Sequence, residues 1–322
     1  MATWSKLLQE FNGRTDQTKW LRKRLRAELG KISAARANCN VIVYFSGWLQ
    51  KPSAPAHFTA ITPEDINGLM NVVHGMDYTK GLSLILHTPG GATNAAETIV
   101  AYLRSKFETI EVIIPAYAMS AGTMISLASN NIIMGRQSQL GPIDPQFMRG
   151  NVSLSARSLV DQFEVARDEI LKNNAAAHVW APMLQSIGPS LLQESLNALA
   201  YGEGMVSKWL ESRMLAGQPN AQQEAQRIAH YFNDAGQHKS HGRRIDRDEA
   251  KATGVTIEEL EQNQPLQDAV MTAYHLSTIA IENSDSAKTI YGSNDSMWSK
   301  NLGMITPSDA APPAGVPKKT KP

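Results

Sequence analysis

One cysteine, Cys39, is all that the 322 residues contain. A single thiol excludes an intramolecular disulfide and a cysteine-rich zinc site, and it fits a reducing compartment. Long hydrophobic runs are missing as well: the best, Ile110 to Met119, is interrupted by Glu111 and Pro115, well short of the roughly 18 apolar residues that a membrane span needs. The opening stretch, "MATWSKLLQEFNGRTDQTKW", lacks the continuous apolar core of a secretory signal. A cytoplasmic protein with no membrane span is expected. Neither sign of charge dominates, with 31 basic against 30 acidic residues, so nothing global argues for a nucleic-acid partner. G-x-x-x-x-G-K-[ST], G-x-G-x-x-G and H-E-x-x-H are all absent, which argues against a phosphate loop and a helix-borne zinc site. No cofactor and no metal is expected.

What is there supports a sizeable core: 42% of the residues are hydrophobic, enough for one large domain with appendages or two modest ones. Residues 1–38 are polar and locally basic, with Trp20, Leu21, Leu25 and Leu29 at helical spacing beneath Lys and Arg, which predicts a peripheral helix with solvated charges. From Asn40 to about Asn151, strand and helix patterns alternate. "NVIVYFSGWL", "GLSLILHT", "IEVIIPAYA" and "NIIMG" read as strands, and "TPEDINGLMNVVHGM", "NAAETIVAYLRSKF" and "AGTMISLASN" as helices. Near-continuous apolar strands separated by single helices indicate parallel β-α units with both sheet faces covered. Residues 152 to about 232 read as mostly helical. A turn-rich stretch follows, "NDAGQHKSHGRRIDRDEAKATGV", then a C-terminal helical segment over 256–305 and a Pro- and Lys-rich tail over 306–322 that cannot bury a core.

Two junctions carry the chemistry. "LILHTPGGA" and "IIPAYAMSAG" each place polar or glycine residues where a strand ends and a helix begins. Backbone N–H groups at a helix N-terminus have no intrahelical partner and carry positive potential, which suits a developing oxyanion. Gly90 and Gly91 let the backbone approach a ligand closely. Ser120 would expose its Oγ at the start of its helix, with the Ala121 N–H aimed at the same anion, a logic close to that of the nucleophile elbow, although position 118 is Ala and G-x-S-x-G is absent. Taken singly, Pro-Gly-Gly is an ordinary turn and Ser an ordinary N-cap. On successive β-α units, both at strand C-terminal ends, they form what a ligand site in a parallel α/β protein requires. His87, at the end of an apolar strand, reads as a buried histidine satisfied by backbone, with substrate binding as the other reading. His238 and His241 could share a metal by spacing, yet their neighbours Lys239, Arg243 and Arg244 read as a polar basic turn.

"HTPGG" followed by "SAGTMISLASNNIIMGRQSQLGPIDPQ" resembles the serine dehydrogenase proteinase family, a branch of the Clp protease/crotonase superfamily related to signal peptide peptidase A. "SHGRRIDRDEAKATGV" is similar to that family's T-H-D-Y-P-I-x-x-x-x-A-x-x-x-G segment, matching at His241, Ile245, Ala250 and Gly254. The similarity runs from about Val41 to Val255. It implies an α/β fold built as a right-handed spiral of β-β-α units over 39–255, with helical additions at both ends. It also implies a serine endopeptidase that acts on peptide or protein substrates and assembles as a homo-oligomer. Ser120 matches the nucleophile, Ala121 the residue whose N–H completes the oxyanion hole, and Gly90 with Gly91 the other oxyanion donor. The general base stays open: His241, oriented by Asp144, has the chemistry for it, while Lys172 and Lys239 are the lysine alternatives. Two other functions stay open beside the peptidase, a catalytically silent scaffold or recruitment subunit and a crotonase-like acyl-CoA enzyme.

Overall fold

Two helices open the chain in the computed structural model, which describes residues 3–149, 152–188 and 190–303. The tail expected over 306–322 lies outside the described residues. α1 (Trp4–Asn12) is capped by Thr3, whose hydroxyl accepts from Lys6 N, and α2 (Gln17–Ala35) carries the basic stretch. The apolar stripe of α2 is no peripheral cover. Leu29 and Ile32 are fully buried against Val41, Val43 and Phe45, while Leu7, Phe11 and Trp20 close over Leu276 and Ile279. Each such side chain contributes about 1.5–3 kcal/mol by leaving water, so this layer is part of the core.

The alternation predicted after Asn40 is present. β1 (Asn40–Ser46) leads through α3 (Ala56–Thr59) and α4 (Asp65–Val73) to β2 (Leu82–His87), and α5 (Thr93–Arg104) leads to β3 (Ile110–Ile114). A short β4 (Tyr117–Ala118) and α6 (Ala121–Leu127) lead to β5 (Asn131–Met134). β1, β2, β3 and β5 are mutually parallel, with Ile42, Leu84, Val112 and Ile132 aligned across them. β1, β2 and β3 are buried along their whole length, as strands covered by helices on both faces must be. Side chains alternate between two clusters, one beneath α4, α5 and α6 and the other beneath α2.

β6 (Gln139–Leu140) follows, and then the hairpin of β7 (Gln146–Arg149) and β8 (Val152–Ser155). The mostly helical stretch is α7 (Ala156–Lys172), α8 (Ala177–Ile187), α9 (Ser190–Ser212) and α10 (Ala221–Asn233). The turn-rich segment holds α11 (Ala235–His238), β9 (Ile245–Asp246) and α12 (Arg247–Ala252), and β10 (Ile257–Glu259) extends the large sheet in parallel beside β5. No helix among the described residues is long and apolar enough to cross a membrane.

The C-terminal segment departs from expectation. Among the described residues of this segment only α13 (Gln264–Glu282) is a helix of length; β11 (Ser286–Gly292) and β12 (Met297–Asn301) are strands. β11 lies antiparallel to β1 on one side and to β12 on the other, giving the order β10-β5-β3-β2-β1-β11-β12. The cause lies in the sequence: β-branched and aromatic residues in "SAKTIYG" and "MWSKN" flank "SNDS", whose Asp295 takes a positive φ of 68° in the turn.

Candidate active site

The ends of β2 and β4 lie side by side. Thr88 N donates to Tyr117 O at 3.0 Å and Met119 N to Thr88 O at 3.1 Å, so the loops that follow, Pro89–Gly91 and Met119–Ser120, leave the sheet together. Gly90 is where they touch. A Cβ there would stand 2.6 Å from Met119 O and 2.7 Å from Ser120 Cβ, and Gly90 has a φ of +99°; only glycine fits both the space and the backbone. Gly91 faces the other way, and a Cβ on it would lie 2.2 Å from Ile61 O. Ile61 N donates to Gly90 O at 2.7 Å, and Ala92 N to Ile61 O at 2.9 Å. The two glycines are thus held between the backbone of Ile61 and Ser120.

Ser120 is the N-cap residue of α6, but its side chain makes no capping hydrogen bond. Its backbone has φ +52° and ψ −115°, a strained conformation for a residue with a Cβ, of the kind found where structure serves a site. Among the described residues neither the Gly91 N–H nor the Ala121 N–H has an acceptor, whereas Gly90 N donates to Thr88 Oγ1 at 3.1 Å. Of the donors expected from the sequence, Gly91 and Ala121 are the ones left to a ligand. Thr123, which the sequence reading missed, ties the next turn down. Its Oγ1 lies 2.8 Å from Ala118 O and accepts from Gly141 N at 3.0 Å.

That tie brings the Asp144 loop to the site. β6 ends at Leu140, pairs in parallel with β4 and antiparallel with β9, and a Cβ on Gly141 would stand 3.6 Å from Ser120 N. Three residues on, Asp144 is 2% exposed. Its Oδ1 lies 2.8 Å from His241 Nδ1 and its Oδ2 accepts from Gln146 Nε2 at 2.6 Å. Among the described residues its carboxylate thus meets side chains rather than backbone amides. With Nδ1 turned to the carboxylate, the lone pair of a neutral His241 sits on Nε2, and the side chain keeps 30% of its surface exposed. Among the described residues no hydrogen bond joins Ser120 Oγ to His241, Lys172 or Lys239. Both lysines are exposed, Lys172 in the last turn of α7 and Lys239 at φ +63° after α11.

The other histidines separate. His238 turns inward, 2.7 Å from Tyr231 O and 3.1 Å from Arg243 Nη1, and Arg243 bonds Glu249 at 2.6 Å; among the described residues His238 and His241 have no partner in common. His87 is fully buried as expected, yet backbone does not satisfy it. Neither ring nitrogen has a partner among the described residues, because Phe45, Trp48, Tyr274 and Tyr117 surround it at ring distances of 4.7, 4.5, 5.0 and 5.7 Å. Burial drives its pKa down to about 3, so it is a neutral imidazole in an aromatic box.

The family model described as "ClpP-like SDH-type serine proteinase" matches residues 22–175, a span that includes Gly90, Gly91, Ser120, Ala121 and Asp144 and stops short of His241. Two uncharacterized proteins of Methanocaldococcus jannaschii are 43% and 41% identical to the chain, each over 86 residues, or 27% of this chain and 30% of theirs. The chain thus spans under a third of the length of these curated relatives. Two solved variants of the 1510-N membrane-bound stomatin-specific protease, one in complex with a substrate peptide, are 19% and 20% identical. They cover 62% and 55% of this chain and 74% and 59% of their own, at TM-scores of 0.34 and 0.31. Over residues 22–175, a little under half of its length, the chain is similar to the ClpP-like SDH-type serine proteinase family.

Proposed function

We propose that the chain is a serine endopeptidase that hydrolyses peptide bonds through an acyl-enzyme on Ser120. The observation that carries this reading is the state of Ser120: it sits at a helix N-terminus in a strained backbone, its hydroxyl unused for capping, between two unaccepted N–H groups. Ser120 Oγ attacks the scissile carbonyl, and the oxygen that gains charge lies between the Gly91 and Ala121 N–H groups. These donors are fixed by the sheet and by α6, so they cost no reorganisation as the charge develops. His241 Nε2 takes the serine proton and returns it to the leaving amine, while Asp144 holds the imidazole in that tautomer. Catalytic hydrogen bonds commonly tighten only around substrate, so the Ser120–His241 contact belongs to the Michaelis complex.

The test is labelling with a fluorophosphonate probe, wild type beside Ser120→Ala. Labelling is expected in wild type only. Labelling that persists in the variant removes Ser120 from the role, and none in either protein favours the catalytically silent reading. Peptide hydrolysis by His241→Ala is expected to fall at least about a hundredfold; undiminished turnover would transfer the base to a lysine.

A further inference from the structure

Lys288 and Asp65 form a fully buried ion pair, 1% and 0% exposed, with Lys288 Nζ 2.6 Å from Asp65 Oδ1. The pair is ionic and lies within hydrogen-bonding reach. Burial lowers the proton affinity of the Lys288 ammonium, and Asp65 opposes that. Apolar side chains of the same volume usually stabilise a core as well as such a pair or better, so the pair's hydrogen bonds indicate what it holds. They converge on one short backbone segment. Lys288 Nζ donates to Ala60 O at 2.6 Å, and Asp65 Oδ2 accepts from Thr62 N at 3.0 Å and from Tyr44 OH at 2.7 Å. Ser46 Oγ donates to Thr59 O at 2.6 Å. Ile61, in the middle of this run, turns its backbone toward Gly90 and Ala92, the residues that flank Gly91.

We propose that Lys288, neutralised by Asp65, is a positioning residue for the oxyanion site: by holding Ala60 O it fixes Ile61, and through Ile61 the direction in which the Gly91 N–H points. The inference rests on the peptidase reading for its catalytic meaning, but the clamp itself is measurable without turnover. It also gives β11, outside the family-matched span, a part in the site.

The test compares wild type with Lys288→Met/Asp65→Asn. The pair is removed together because Lys288→Met alone leaves a buried carboxylate uncompensated and risks unfolding; the carbonyl oxygen of the introduced amide still accepts from Tyr44 and Thr62. Amide hydrogen exchange is expected to rise at least about tenfold at Ile61 and Ala92 while β2 and β3 keep their protection. The kcat for a peptide substrate and the affinity for a peptide boronate, which forms a tetrahedral adduct on the serine, are expected to fall together by about tenfold or more, with KM within about twofold. Unchanged exchange at Ile61 and Ala92 in a folded double variant overturns the clamp, whether or not the protein hydrolyses peptides. Raised exchange with unchanged kcat and boronate affinity overturns its role at the site. A wild type that neither labels nor hydrolyses defeats the peptidase reading, and the exchange result still judges the clamp.

Discussion

A serine at positive φ is held there by its surroundings. The strained backbone of Ser120 costs on the order of 1–3 kcal/mol, and glycine would adopt the same angles freely while giving back about 0.4–1 kcal/mol through a looser unfolded chain. Ser120→Gly is therefore expected to abolish hydrolysis and to raise the melting midpoint by about 2 °C; a midpoint lowered by calorimetry would show that no strain is stored. The residues at this scale differed in how far the sequence disclosed them. Ser120 and Gly91 stand out in the sequence as candidates because each lies where an apolar strand gives way to a helix, and the contact of Asp144 with His241 that the motifs suggested is present in the fold. The aromatic box around His87 is not legible there, since Trp48 and Tyr274 are distant in sequence and only the sheet brings them together. Lys288 falls in the stretch expected to be helical, and its burial follows from its place on β11, a strand that periodicity over so short a run did not force.

Among elements, the decisive fit is the loop after β2 between two backbones that cannot yield. The neighbours of an added Cβ at Gly91 are Ile61 O and N, at 2.2 and 2.4 Å, and no rotamer change relieves a backbone clash. Gly91→Ala is expected to leave the sheet folded and to lower kcat about 10²–10³-fold, the scale for losing one oxyanion donor; turnover within about tenfold of wild type would mean that Gly91 is only a turn residue. The parallel β-α units were legible because each apolar strand is followed by a helix of the right period. The β11–β12 hairpin was not: "SAKTIYG" and "MWSKN" mix lysine and serine with apolar residues without a clean alternation, and β11 is buried by pairing with β1, which sets Ser46 opposite Lys288, a contact that no local pattern announces.

For the whole molecule the buried His87 sets a dependence on acidity. The folded chain holds its pKa at about 3 against 6.5 for a free histidine, so between those values the unfolded chain binds a proton that the folded one refuses. Stability at this site is complete above the free value and declines as pH falls toward the folded one. His87→Phe removes the titrating group, and its midpoint in urea is expected to fall less than that of wild type between about pH 6.5 and pH 4. Parallel profiles for the two proteins would show that His87 is solvated. The order of the strands has a consequence in time. β1 is made early and β11 long after it, so the growing chain carries Ser120 through most of that interval before Lys288 can reach Ala60. A polypeptide halted on the ribosome before β11 emerges therefore lacks the strand that pairs with β1 and brings Lys288 to Ala60, and the backbone beside Gly90 and Gly91 gains that support only after β11 has docked.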